Sequence, residues 1–232
     1  MQNELQSTEQ PSNPIDRSAI FFQESFLSQS ECQELITRHQ LNSSTTPSAV
    51  IDSLGKVLVT QKYRDSREHF ERDGATEFQH IIDRLHLRFK QAWLTRSGAE
   101  ADGKIVGGLT VLGYDRGGHF NWHRDSSKSM RGRFLTAAIL LTPTSQFKGG
   151  EFLFARLNQK SAQAVIEAGD LLIFPSEAMH KVRPVTEGKR FSMVALWSDL
   201  QAQCENPTEL RYHAECEEPL SSPTDPDDPD GV

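Results

Sequence analysis

The chain has 232 residues, enough for one domain with a substantial core, and carries 25 Lys+Arg against 32 Asp+Glu, a formal net charge of −7. That balance speaks against generic binding to a nucleic-acid backbone, which calls for a basic stripe, and no apolar run approaches the roughly 18 residues that cross a bilayer. The charge is unevenly placed: from Glu205 to Val232 nine acids meet one base, so residues 1–204 sum to +1 and residues 19–204 to +3.

Residues 1–18 are polar, without the apolar stretch of a secretory leader, and are expected to be a disordered segment. Residues 205–232 hold five of the eleven prolines together with the acid excess and are expected to be a disordered acidic tail. The candidate domain is therefore 19–204. Cys32, Cys204 and Cys216 have no metal-ligand spacing and read as free thiols of a reducing, cytoplasmic compartment.

After Ile20-Phe-Phe, Ser28 with Glu31 three residues on forms a capping box, and Cys32, Leu35 and Ile36 continue a helix to about Gln40. Residues 41–75 are polar with short apolar patches and read as loop or edge strand. Phe78, Ile81, Ile82, Leu85, Phe89 and Trp93 recur at helical spacing and predict a second, amphipathic helix over 76–94. From Ile105 the pattern turns to strands: 105–114, 134–142, 151–157, 164–167, 171–174, 181–186 and 190–198. Gly117-Gly118, Gly149-Gly150, Gly169-Asp170, Pro175 and Glu187-Gly188 punctuate them. Two helices followed by many short antiparallel strands predict an α+β domain, with the helices packed on a jelly-roll core.

His123-Arg-Asp125 places an imidazole and a carboxylate on the same side of an extended segment, which suits two neighbouring positions on one metal. By itself the pattern is weak, because about one His-x-acid is expected by chance and the chain has three. His69-x-Glu71 and His213-x-Glu215 lie in charged stretches and read as solvated surface. His123 differs in its context. A Gly- and aromatic-rich approach, Tyr114-Asp-Arg-Gly-Gly-His-Phe-Asn-Trp122, precedes it; Gly169-Asp-Leu-Leu-Ile-Phe-Pro175 follows, with His180 five residues later. Two His and one carboxylate from a β-core form the facial triad of non-haem iron oxygenases. Ten residues beyond His180, Arg190 and Ser192 share one face of the last strand, with Phe191, Met193, Ala195 and Trp197 on the other. A guanidinium in an apolar strand needs an anion, and a carboxylate fits its fork.

These motifs resemble the Fe(II)- and 2-oxoglutarate-dependent dioxygenase superfamily, and the flanking Gly149-Gly-Glu-Phe and Pro184-Val-Thr-x-Gly-x-Arg190 resemble its prolyl 4-hydroxylase-like branch. The resemblance covers about 105–198 and, more loosely, the helix entry at 26–36. It implies a double-stranded β-helix (cupin-like) with N-terminal supporting helices. His123, Asp125 and His180 would hold Fe(II). Arg190 would bind the distal carboxylate of 2-oxoglutarate, Ser192 would assist, and Tyr114 would lie beside the cosubstrate. The implied reaction couples decarboxylation of 2-oxoglutarate, giving succinate and CO2, to O2-dependent hydroxylation of a C–H bond, with ascorbate as an auxiliary reductant. A peptidyl substrate is preferred over a free amino acid or other small molecule.

The chain departs from the branch at Ala138-Ile-Leu-Leu141, where a tyrosine is common. It also has Leu196 where nucleic-acid demethylases carry a second arginine, which speaks against a nucleic-acid substrate. His119 and Trp122 read as packing residues. Lys128, Arg131 and Arg133 read first as a solvated loop, with a contact to an acidic or peptide substrate as the alternative. Residues 41–75 and 126–133 are the expected lids. Two other classes fit the same residues: a jelly-roll metalloenzyme that does not use 2-oxoglutarate, in which Arg190 would pair with a protein carboxylate, and a catalytically inactive binding module.

Overall fold

The computed structural model describes residues 20–42, 45–51, 57–71, 76–100, 102–126, 133–155 and 166–199. The two expected disordered ends, Lys128, Arg131, Cys204, Cys216 and the His213 pair lie outside the described residues.

The strands are β1 (Phe21–Gln23), β2 (Thr46–Pro47), β3 (Val50–Ile51), β4 (Val57–Leu58), β5 (Arg64–Asp65), β6 (Arg67–Glu71), β7 (Gly103–Tyr114), β8 (His119–His123), β9 (Arg133–Leu140), β10 (Phe147–Gly149), β11 (Phe152–Phe154), β12 (Leu171–Pro175), β13 (His180–Val182), β14 (Val185–Gly188) and β15 (Arg190–Asp199). The helices are α1 (Gln29–Leu41) and α2 (Gln79–Ser97). A large sheet runs β1-β12-β9-β15-β7-β6-β2 and a small one β11-β13-β8-β5, with β10-β14 and β3-β4 as separate pairs. From β7 onward the chain steps between the large and small sheets, β7 to β8 to β9 to β11 to β12 to β13 to β15. All pairings are antiparallel. This is the double-stranded β-helix of an α+β jelly roll.

Helix α1 starts where the sequence places it. Ser28 N–H donates to Glu31 Oε2 at 2.7 Å, and Glu31 N–H donates to Ser28 Oγ at 3.2 Å, which satisfies two otherwise orphaned donors. Helix α2 is entered through a 3-10 turn at Thr76–Phe78. It ends at Gly98, whose φ of 71° is left-handed and whose N–H bonds to Leu94 C=O. Both helices cover the same face of the large sheet. Leu35, Ile36, Ile81, Leu85 and Phe89 pack there with Leu109, Val111, Ala137, Ile139, Met193 and Trp197 in one buried cluster. Trp197 is fully buried, stacked on Phe89 and tilted against Trp93. The alternate residues of the same strands face inward. Ala138, Leu140, Leu172 and Phe174 form a second cluster with Phe154, and Leu112 and Tyr114 a third with Val182 and Val185.

The strand boundaries differ from expectation in places. The expected strand 181–186 is two strands, because Pro184 cannot donate to a ladder and the chain turns there from β13 to β14. Ile166 and Glu167 are not in a strand, and residues 164–165 lie outside the described set. The strand expected at 151–157 is three residues long, with 156–157 outside the described set. Within 41–75, β5 pairs with β8 of the small sheet and β6 with β7 of the large one, so residues 64–71 stitch the two sheets along one side. His69 is buried rather than solvated: β6 pairs it with Val111, and Asn42 Nδ2 lies 3.2 Å from its Nε2. No helix among the described residues is long and apolar enough to cross a membrane.

Because the helices are held by burial against the sheet, removing one of their largest anchors should be costly. Phe89→Ala is expected to destabilise the fold by about 4 kcal/mol, read as a lower urea midpoint at unchanged slope.

Candidate active site

The pairing of β8 with β13 sets His180 directly opposite His123, with ring centroids 4.0 Å apart. Each ring is fixed from behind. Nδ1 of His123 lies 2.8 Å from the Asn121 carbonyl, and Nδ1 of His180 lies 2.8 Å from the Ala178 carbonyl. A carbonyl can only accept, so both Nδ1 atoms carry a proton, and in the neutral tautomer Nε2 is the nitrogen left with a lone pair. Asp125 follows β8 and turns its carboxylate between them, Oδ1 3.7 Å from His123 Nε2 and Oδ2 3.5 Å from His180 Nε2. The three ligand atoms lie within 4.8 Å of one another. Burial, and then the neighbouring His180, hold His123 well below its ordinary pKa, so it is neutral at neutral pH.

Asp125 is held from several sides. Its N–H donates to Ser176 C=O at 2.8 Å, Thr136 Oγ1 donates to its Oδ2 at 2.9 Å, and Arg133 Nη1 donates to its C=O at 3.1 Å. Ser176 Oγ lies 2.9 Å from Thr136 Oγ1 and supports it in turn. Phe120 stacks on the His123 ring, centroids 3.4 Å apart. Two imidazole lone pairs and a carboxylate thus converge on one point with no donor between them. This arrangement repels itself unless a cation sits there, and N, N, O donors suit a divalent transition metal.

Arg190 lies on β15 beside Tyr114 of β7, its guanidinium carbon 5.3 Å from the tyrosine ring centroid. It is buried, and burial lowers its pKa from the ordinary value. Nη1 donates to Ser192 Oγ at 3.0 Å, Nε has no partner, and no carboxylate pairs with it among the described residues. Gly150 makes room: at φ 66°, a Cβ there would lie 2.8 Å from Arg190 Cδ. A buried cation without an anion, with a free donor, fits the carboxylate of a bound dicarboxylate.

Tyr114, His123, Asp125, His180, Arg190 and Ser192 all line one cavity of about 620 Å³. His119 and Trp122 stay outside it. The His119 ring nitrogens Nδ1 and Nε2 lie 3.0 Å and 3.1 Å from the carbonyls of Gly117 and Lys62, and Trp122 lies under Lys181. Of the basic cluster only Arg133 is described, and it lines the cavity beside Asp125. Sequence reasoning missed Thr136, although period two along 133–140 already turns it inward with Ala138 and Leu140. It also missed Arg64 and Glu68 on the cavity wall, because their i,i+4 spacing in a charged stretch carries no strand signal.

A family model described as the 2OG-Fe(II) oxygenase superfamily matches residues 109–198. The matched stretch includes Tyr114, His123, Asp125, His180, Arg190 and Ser192. A PKHD-type hydroxylase of Idiomarina loihiensis is 30% identical over 113 residues, 48% of this chain and 51% of that protein. One of a Synechococcus strain is 31% identical over 98 residues, 42% and 43% of the two chains. The chain thus spans about half the length of these relatives or less. Among solved structures, a Pseudomonas putida prolyl-4-hydroxylase superposes with a TM-score of 0.59 at 19% identity, covering 78% of this chain and 92% of that one. A Trichoplax adhaerens prolyl hydroxylase in complex with a hypoxia-inducible-factor peptide fragment superposes with 0.63 at 16%, covering 82% and 88%. At such identities the likeness establishes the fold. The superfamily is named for Fe(II) and 2-oxoglutarate, and the donor set and the unpaired Arg190 fit both.

Thr136→Val keeps the shape of β9 but removes the donor to Asp125. Metal affinity is expected to fall about tenfold in a metal titration, with the thermal midpoint little changed. Gly150→Ala should weaken 2-oxoglutarate binding, measured by calorimetry, without loss of metal binding, because its Cβ displaces Arg190 rather than the histidines.

Proposed function

We propose that this chain is an Fe(II)- and 2-oxoglutarate-dependent dioxygenase of the prolyl 4-hydroxylase-like type, hydroxylating a C–H bond with release of succinate and CO2, and that residues 19–204 are its catalytic unit. The observation that carries the reading is Arg190, a buried guanidinium with a free Nε and no carboxylate partner among the described residues, facing the same cavity as His123, Asp125 and His180. The names of the PKHD-type relatives and the fold of the prolyl hydroxylases support it. A peptidyl substrate is the preferred class. Leu196 on the cavity wall leaves that wall apolar and speaks against a nucleic-acid substrate. Cys32, buried as a free thiol, suits a reducing, cytoplasmic setting.

In this reading His123, Asp125 and His180 would hold Fe(II) through two imidazole nitrogens and a carboxylate oxygen. When bound, Fe(II) with 2-oxoglutarate supplies the oxidising power for hydroxylation of the C–H bond. Arg190 grips the far carboxylate, Ser192 offers its hydroxyl, and Tyr114 flanks the same end. Leu112, Ala138, Leu140 and Val194 keep the wall between the two ends dry. The carbonyls of Asn121 and Ala178 hold both histidines in the ligating tautomer throughout.

The test is succinate release by the purified chain with Fe(II), ascorbate and 2-oxoglutarate, with and without peptide pools. Asp125→Ala is expected to abolish it, and retained release in that variant would sink the assignment. Arg190→Met should raise the KM for 2-oxoglutarate about 100-fold, as loss of a buried ionic contact costs about 2–5 kcal/mol. An unchanged KM would favour a metalloenzyme that does not use this cosubstrate.

A further inference from the structure

The cavity wall contributed by β6 has no part in holding a metal or a dicarboxylate. Glu68 and Phe70 pair with Leu112 and Thr110 of β7, which pair in turn with Ser192 and Val194 of β15. All six line the cavity. Strands lie about 4.8 Å apart, so Glu68 stands across the inner face from Ser192 by two strand spacings, about 10 Å. It is at the opposite end of the wall from the proposed cosubstrate clamp.

Glu68 is mostly buried, its side chain 13% exposed. Its partners do not saturate it. Arg64 Nη2 lies 3.4 Å from Oε2, longer than the roughly 2.7–2.9 Å of a close charge-assisted bond. Arg64 is held in place by other groups: Nε donates to Ser66 Oγ at 3.1 Å, Nη1 donates to Ala49 C=O at 3.0 Å, and the guanidinium lies 4.5 Å over the Phe120 ring. Ser48 completes the surroundings with a side-chain hydrogen bond to Glu68, and receives one from Ser66 at 2.8 Å. A carboxylate offers about four acceptor positions, of which these partners use two. Burial raises the Glu68 pKa from its ordinary value, so its charge lacks the hydration it would have in water. Beside it the wall is hydrocarbon: Leu112, Val194, Leu196 and Phe70, the last 51% exposed at the cavity mouth.

We propose that Glu68 selects the substrate, which carries an ammonium group on an aliphatic stem: Glu68 accepts from the ammonium while Phe70, Leu112 and Val194 pack on the stem. A lysyl side chain in a peptide and a free diamino acid share this chemistry. The proposal rests on the function above only in calling the ligand a substrate.

The test uses four probes of one length, pentylammonium, pentanol, valeramide and valerate, titrated calorimetrically into the full chain with 2-oxoglutarate and Mn(II). Pentylammonium is expected to bind at least tenfold more tightly than the other three, and Glu68→Gln to remove that advantage. Glu68→Lys should reverse it in favour of valerate, a gain that a misfolded variant cannot show. Nα-acetyl-lysine amide and free lysine, used as competitors, separate the two sources; displacement of pentylammonium by either supports the proposal. Equal binding of the four probes, binding by none, displacement by neither competitor, or an unchanged preference in Glu68→Gln would overturn it. Succinate release without ammonium preference sinks this proposal alone. Ammonium binding without succinate release sinks the dioxygenase reading and leaves the site.

Discussion

The large sheet is two-sided, and that alternation decides where everything else in the chain can go. On β15, Phe191, Met193, Ala195 and Trp197 face the helices, while Arg190, Ser192, Val194 and Leu196 face the cavity. β9 repeats the division, with Leu135, Ala137 and Ile139 on one side and Thr136, Ala138 and Leu140 on the other. A slip of one residue in either ladder would send Arg190 into the helix interface and Trp197 into the cavity. The helices therefore do more than bury apolar surface. By fixing which face is dry, they fix the register on which the functional side chains depend.

The inward face then poses an electrostatic problem. Arg190 and Asp125 are formally opposite in charge, yet each is tied to its own surroundings, Arg190 to Ser192 and Asp125 to Thr136. His123 adds no charge, because burial and the neighbouring His180 hold it neutral. A dication at the three ligands and a dianion at the arginine would together leave the formal charge unchanged while giving each unpaired group its complement. Two local imbalances of charge face the cavity, and two ligands of opposite charge would correct both.

The parts of this arrangement that strand period and capping chemistry control are the parts readable in the sequence. The capping box at Ser28 and Glu31, the apolar stripe of α2 and the alternation along 190–198 each follow a local rule that the tertiary structure leaves intact. His123-x-Asp125 was legible only through its Gly- and aromatic-rich context, since the bare pattern recurs at His69. His69 also shows the limit: a charged neighbourhood predicts solvent, but pairing of β6 with β7 buries it against Asn42. The break at Pro184 and the shortness of β11 depend on how the two sheets close around each other, which no local window contains.

Residues 64–71 carry this point furthest. Their composition reads as exposed loop, with charges at 64, 65, 67, 68 and 71. They become cavity wall because the chain leaves the small sheet at Asp65 and joins the large one at Arg67, turning at Ser66. That crossing forces Arg64 and Glu68 inward, where Ser66 and the Ala49 carbonyl hold Arg64 and Ser48 bonds to Glu68. The same crossing separates the two tasks of the cavity. His123, His180 and Arg190 stand on β8, β13 and β15, with Asp125 just after β8, whereas the far wall belongs to β6, which lies next to last in the large sheet between β7 and the two-residue β2. A side chain on β6 can change without altering the pairing of β15 with β7 and β9, in which no β6 residue takes part. The wall at Glu68 is thus the place where selectivity can be altered while the chemistry-bearing register stays fixed.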